Sequence, residues 1–174
     1  ANFDTGNIDL IEEDYEQPLS HLPLLVEAQA LWFGLDEGGL GDASLVMRPF
    51  HGETKDFFIA NGEDIVSFSA LTRHDGRLIT GTSHGLFQLD EISGHFQRLK
   101  FDEKYSGLRV TTLLSHKGFL WAFIGGEWLR IDLKKRKAVR YVNSTPTELT
   151  TGIPFNSIWL LAGPAGVWKI HSEP

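Results

Sequence analysis

A segment that recurs at a near-constant interval constrains a chain more than any single motif, because each copy must become the same small unit. Four segments here share one pattern: "ALWFGL" (30–35), "RLITGT" (77–82), "FLWAFI" (119–124) and "SIWLLA" (157–162). Aligned on Trp32, Ile79, Trp121 and Trp159, they are spaced by 47, 42 and 38 residues. An apolar stretch and a turn precede the marker, as in "VSFSALTRHDG" (66–76) and "VTTLLSHKG" (110–118), and "LPLLVE" (22–27) does so in the first unit. A glycine-bearing turn and a further strand-like run come after it in "HGLFQLD" (84–90), "GEWLRID" (126–132) and "AGVWKIH" (165–171). In the first unit that run is "SLVMRPF" (44–50), reached through the inserted loop "DEGGLGDA" (36–43). A fourth run closes three of the units: "DFFI" (56–59), "HFQRL" (95–99) and "AVRYV" (138–142).

Each full unit therefore reads as four short strands joined by turns. The two inner runs are nearly all apolar, as strands covered on both faces are, whereas outer runs such as Phe96-Gln97-Arg98-Leu99 alternate. Small sheets of this kind bury their faces by stacking radially. The fold expected is all-β: a single β-propeller domain over residues 1–174, built from about four four-stranded antiparallel blades. The last unit lacks an outer strand, and "NIDLIEE" (7–13) is a strand without a unit. Pairing that N-terminal strand onto the last blade closes the ring and satisfies an edge that would otherwise recruit another chain. A segment of a larger ring, or two chains sharing a ring of eight blades, fits the same pattern.

Composition agrees and narrows the partners. Eighteen glycines lie between short apolar runs, which favours hairpins. A net charge of −7 opposes phosphate neutralisation, so no nucleic-acid partner is expected. The one dense basic run, Lys134-Lys135-Arg136-Lys137, reads as a solvated turn between strands. The absence of cysteine excludes disulfides, thiolate catalysis and cysteine-ligated zinc. No apolar run approaches the ~20 residues of a spanning helix, so no membrane segment is expected in this chain. The opening Ala1-Asn2-Phe3-Asp4 has no signal-peptide character.

Chemistry-bearing patterns are few. Gly81-Thr82-Ser83-His84-Gly85 matches Gly-x-Ser-x-Gly, which presents a nucleophilic serine when a strand runs through a strained turn into a helix. Here the next residues, Leu86-Phe87-Gln88-Leu89-Asp90, alternate apolar and polar and read as a strand. The equivalent turns "FIGGE" (123–127) and "AGPAG" (162–166) keep glycines and drop the serine, so a hairpin with glycines at positive φ is expected. The histidines at 21, 51, 74, 84, 95, 116 and 171 show no i, i+4 metal spacing, and His74 and His116 occupy equivalent turns. Asp36, Glu37 and Asp42 could hold a cation such as calcium through carboxylate oxygens. Trp32, Trp121 and Trp159 are expected to pack blade against blade, and Trp128 and Trp168 are candidates for stacking on a sugar ring. "NST" (143–145) is a glycosylation sequon. No catalytic constellation emerges, and no cofactor is expected.

The units "HDGRLITGTSHGLFQLDEISGHFQRLKF" and "HKGFLWAFIGGEWLRIDLKKRKAVRYV" resemble the two-component-regulator propeller repeat. His74-Asp75-Gly76, Leu31-Trp32-Phe33-Gly34, Gly85-Leu86-Phe87-Gln88-Leu89-Asp90, Leu129-Arg130-Ile131-Asp132 and Val139-Arg140-Tyr141 carry the resemblance, which is strongest over 66–142. It implies a periplasmic or otherwise extracytoplasmic sensor region of a bacterial membrane receptor. Such a region binds a small-molecule or carbohydrate ligand and does no chemistry of its own. A protein–protein interaction or dimerisation propeller, meeting the rest of its receptor or a second copy, is the alternative expectation. A lyase or glycosidase using the central funnel is the third.

Overall fold

The computed structural model describes residues 23–35, 43–59, 67–141, 151–155, 158–163 and 166–171. These are strand and turn throughout, apart from one 3-10 turn at Glu103–Tyr105. The first blade comprises β1 (Leu24–Val26), β2 (Ala30–Leu35), β3 (Ser44–Pro49) and β4 (Lys55–Phe58). The second comprises β5 (Phe68–His74), β6 (Arg77–Thr82), β7 (Gly85–Asp90) and β8 (His95–Arg98). The third comprises β9 (Val110–His116), β10 (Phe119–Ile124), β11 (Glu127–Asp132) and β12 (Lys137–Arg140). The fourth sheet has three described strands: β13 (Thr151–Phe155), β14 (Ile158–Gly163) and β15 (Gly166–His171). Each strand pairs antiparallel with its neighbour in sequence. The fold is the all-β propeller architecture, whole or in part. The strand expected at 7–13 lies outside the described residues, so its pairing onto β15 stays a proposal.

Short turns dictate this meander. Asp75-Gly76 (φ 48° and 75°) and Lys117-Gly118 (φ 49° and 76°) both place two residues at positive φ. That geometry matches the right-handed twist of the strands it joins. The basic run 134–137 spans the end of the β11–β12 turn and the first residue of β12, and Lys134 reaches Asp75 of the preceding blade at 3.2 Å.

Three packed junctions make the core. Between the first two blades, Trp32, Leu45 and Phe57 meet Phe68, Leu71, Leu78 and Leu89. Between the second and third, Ala70, Ile79 and Leu86 meet Val110, Leu113, Leu120, Ala122, Leu129 and Ile131. The third junction brings Trp121, Phe123 and Trp128 against Leu161 and Trp168. Gly81 is not at positive φ, contrary to the turn reading. It belongs to β6, and a Cβ there would sit 2.6 Å from Val110 Cγ1. Gly34, its equivalent in β2, approaches Phe68 Cβ in the same way, at 2.9 Å.

The fourth unit corrects the sequence alignment by one residue. Counted from the hairpins, Ala30, Arg77, Phe119 and Ile158 are equivalent, because each comes directly after the turn out of a first strand. Trp159 then takes the register position of Leu31, Leu78 and Leu120, and Leu160 takes that of Trp32, Ile79 and Trp121. A one-residue slip exchanges the faces of a strand. Leu161 accordingly points into the junction with the third blade.

Candidate functional site

Because successive strands run in opposite directions, topology sorts the connections between two ends. Among the described residues, one end carries short turns: 27–29, 75–76 and 117–118 between first and second strands, and 50–54, 91–94 and 133–136 between third and fourth. The other end carries the described connection from the second blade to the third, 99–109, and the hairpins at 83–84 and 125–126. Binding groups concentrate on long connections held by a rigid scaffold.

At this end the connection 99–109 lies across the second and third blades. Gly85 (φ 111°) comes within 3.1 Å of Gly107 N at its Cβ position, and Gly125 packs against Leu108. Equivalent main-chain bonds anchor both hairpins: Ser83 N donates to Ser67 O at 3.1 Å, and Gly125 N to Arg109 O at 3.1 Å. The Asp102 side chain caps the 3-10 turn by accepting from Lys104 N at 3.1 Å. That turn delivers two side chains to Glu127 at the start of β11. The buried Tyr105 hydroxyl donates to Glu127 Oε2 at 2.6 Å, and Lys104 Nζ lies 3.2 Å from the same oxygen. Arg140 Nη1 stands 3.7 Å from Glu127 Oε1.

The electrostatics of this cluster separate its pKa values. The Tyr105 hydroxyl bond and the Lys104 ammonium hold the Glu127 carboxyl below the usual carboxylate range, against the opposing effect of burial. Burial, then the bond to Glu127, pushes the Tyr105 phenol up. A general acid or base works best with its pKa near the working pH. Both shifts move away from neutrality, so the cluster offers a fixed carboxylate, a fixed hydroxyl and two cations. It is a set of hydrogen-bonding groups.

Ser83 lies in the β6–β7 hairpin, at the register position that Gly125 holds in the third blade. Its Oγ is 2.8 Å from His84 Nδ1 and accepts from Ser67 N at 3.3 Å. A nucleophilic serine needs its base oriented by a third group. Among the described residues no carboxylate is hydrogen-bonded to His84, and a strand succeeds the turn. Ser83 is a turn residue that ties two connections together.

Trp128 is fully buried between the third and fourth blades, with its ring stacked on Trp121 at 6.1 Å. It is packing and has no face to offer a sugar. Trp168 is half-buried against the same cluster and enters it from the opposite blade. The two tryptophans share a strand number but not a register position, since Trp128 pairs with Phe123 and Trp168 with Leu161. Trp32 and Trp121 are buried as expected, and the Trp159 side chain lies outside the described residues. Asp36, Glu37 and Asp42 also lie outside them. Among the described residues no three His, Asp or Glu side chains gather as a metal site.

The tight-turn end holds a different network, unseen in the sequence because its members come from two blades. Glu27 accepts from Arg73 Nε at 2.7 Å, from Arg73 Nη2 at 2.8 Å and from Trp32 Nε1 at 2.8 Å. Arg73 also pairs with Glu91 and stands over the Trp32 ring at 5.7 Å. One junction along, buried His74 takes the place of Glu27 and bonds Ser115 Oγ at 2.9 Å. The signal that could have found them is the shared turn position of Glu27, His74 and His116.

No protein-family model matches the chain, and no curated protein does. Solved structures do resemble it. The computationally designed Ika4 protein superposes with TM-score 0.62 at 16% identity, over 91% of this chain and 95% of that one. The extracellular domain of the putative one component system BT4673 from B. thetaiotaomicron gives 0.65 at 14% identity, over 87% of this chain. The chain spans only 24% of the length of that extracellular-domain chain. Virginiamycin B lyase from Staphylococcus aureus gives 0.58 at 14% identity, over 92% of this chain and 58% of that one. At such identities the likeness is one of fold. Among the described residues no helix is long and apolar enough to cross a membrane.

Proposed function

We propose that this chain is a ligand-binding sensor module without chemistry of its own, from the extracytoplasmic part of a bacterial signalling receptor. Its recognition surface is the end that carries the connection 99–109. One observation carries the reading: the connection 99–109, lying across the second and third blades, brings Lys104 and Tyr105 to Glu127, beside Arg140. A carboxylate, a hydroxyl and two cations held by a rigid hairpin suit a polyhydroxylated ligand, carbohydrate or similar. The directions of the Glu127 and Tyr105 shifts oppose proton transfer near neutrality, which supports binding over turnover. The likeness to the extracellular domain of BT4673 supports a sensor role.

A thermal-shift screen against neutral and acidic oligosaccharides tests this. A tenfold excess over Kd adds about 1.4 kcal/mol to stability. The shift should appear with the wild-type chain and shrink in Lys104→Ala and Glu127→Gln. A ligand that stabilises all three chains equally moves the site elsewhere. Substrate turnover without any stabilisation sinks the non-catalytic reading.

A further inference from the structure

The first three blades each end in a short turn and an outer strand, so these segments can be compared for what the fold requires of them. In the first blade, residues 50–58 carry Lys55 against Glu53 and Asp56. In the second, residues 91–98 carry Arg98 against Glu91. The third blade departs from both. Residues 133–140 hold Lys134, Lys135, Arg136, Lys137 and Arg140 with no acid among them, in a chain whose net charge is −7. A single cation is enough to discourage pairing at an exposed edge, and β4 and β8 have one each. The needs of the fold do not account for five.

Local ion pairs do not account for them either. Lys134 Nζ lies 3.2 Å from Asp75 and Lys135 Nζ 3.7 Å from Asp132, yet the two side chains remain 84% and 76% exposed. Among the described residues no acid pairs with Arg136 or Lys137, and both are exposed. The strand that carries Lys137 and Arg140, β12, is the outermost of its sheet. From the turn the cations run along it to Arg140, which meets the Glu127 carboxylate together with Lys104. The paired strand β11, Glu127–Asp132, is six residues long, so the two ends of this strip stand about 17 Å apart.

We infer that the ligand of the sensor site is an acidic oligosaccharide, with sugar hydroxyls at Tyr105 and Glu127 and anionic groups along β12. This rests on the sensor reading and adds the charge and the reach of the ligand. A single small anion needs one knot of cations, whereas charge spread over about 17 Å suits a chain with anions on successive sugars. Uronic-acid carboxylates and sulfate esters share the chemistry required, since lysine offers a point charge and arginine a planar fork of donors. The contacts are exposed to solvent, so binding weakens as salt screens them.

The test is isothermal titration of the wild-type chain with oligogalacturonate, sulfated dextran and plain dextran, at low and at physiological salt. The strip variant combines Lys135→Gln, Arg136→Asn and Lys137→Gln. Arg136 sits at φ 52°, which asparagine tolerates, and Lys135 N donates to Asp132 whatever its side chain, so circular dichroism should show the variant folded. Lys55→Gln, at the start of the equivalent strand β4, serves as the control. The wild type should bind an acidic probe more tightly than dextran, and the two acidic arms separate carboxylate from sulfate. The strip variant should raise Kd for that probe about tenfold, and the control should leave it unchanged. Dextran bound as tightly as the acidic probes, and lost in Glu127→Gln, overturns the acidic ligand and leaves the sensor reading standing. Acidic binding that is indifferent to salt, or unchanged in the strip variant, overturns the role of β12. Failure to bind any of the sugars overturns both readings. A DNA duplex or anionic vesicles held as tightly as the acidic sugar overturn the assignment to carbohydrate.

Discussion

The second and third junctions of the molecule solve one packing problem in opposite ways. Between the second and third blades, Gly81 leaves room for Val110, and the strands of the seam contribute aliphatic side chains, Ile79, Leu86, Leu113, Leu129 and Ile131, with Tyr105 and Phe101 joining from the connection 99–109. Between the third and fourth, the position of Gly81 is held by Phe123, flanked by Trp121 and Trp128. Tyr141 meets Trp121 edge-on at 4.8 Å. The aliphatic seam seats the Val110 side chain where a Cβ at Gly81 would be, and the aromatic seam fills the equivalent position with the Phe123 ring. A repeat therefore fixes the register of a junction and leaves its filling to pairs of residues that change together.

The largest effect expected is at the centre of the aromatic seam. Trp128→Ala should cost about 3–5 kcal/mol, because a fully buried ring leaves a cavity that a rigid seam cannot close. Chemical denaturation measures it, and a loss under about 1 kcal/mol would show that the seam is not packed as described. Next comes Gly81→Ala, with an expected cost of about 1–3 kcal/mol from overpacking against Val110. Val110→Ala should relieve part of it, so a double-mutant cycle should show coupling of at least about 0.5 kcal/mol. Strict additivity would mean that the close approach is absent.

Polar contacts sharpen the comparison at the tight-turn end, with smaller effects. Glu27 is held below the usual carboxylate range, chiefly by its bond from Arg73. A depressed folded pKa contributes stability above the unfolded value, near 4.5, and loses it as pH falls through the folded one. Glu27→Gln should thus cost about 1 kcal/mol near neutrality, discounted for partial exposure. The gap to wild type should close in acid. A gap that stays constant from pH 7 to pH 3 would assign the loss to packing. The smallest effect belongs to the serine hairpin, where Ser83→Ala should change stability by less than about 1 kcal/mol. Loss of a measurable activity with the fold intact would return Ser83 to the nucleophile reading.

Much of the architecture was legible along the chain. Spaced apolar runs, Asp-Gly and Lys-Gly turns and one loop insertion marked strand order and blade boundaries to within a residue or two, except for β13. Gly152 and Pro154 obscure that strand, since neither favours a sheet interior. The one-residue error at Trp159 has a plain cause: a large apolar residue flags a strand in either register, and only the hairpin pairing reveals its face. The candidate site was largely illegible. Tyr105, Glu127 and Arg140 lie in a connection and two strands, with no spacing that would single them out.

The sequence alone determined the repeat, the all-β class and the reading of Gly-x-Ser-x-Gly as a turn, because these rest on local periodicity and turn chemistry. Tertiary structure alone decided what happens between blades. It made Gly81 a contact residue and moved Trp128 out of reach of a ligand. Strand periodicity is written along the chain, whereas burial depends on which neighbour arrives. Among repeats that neighbour is some forty residues away.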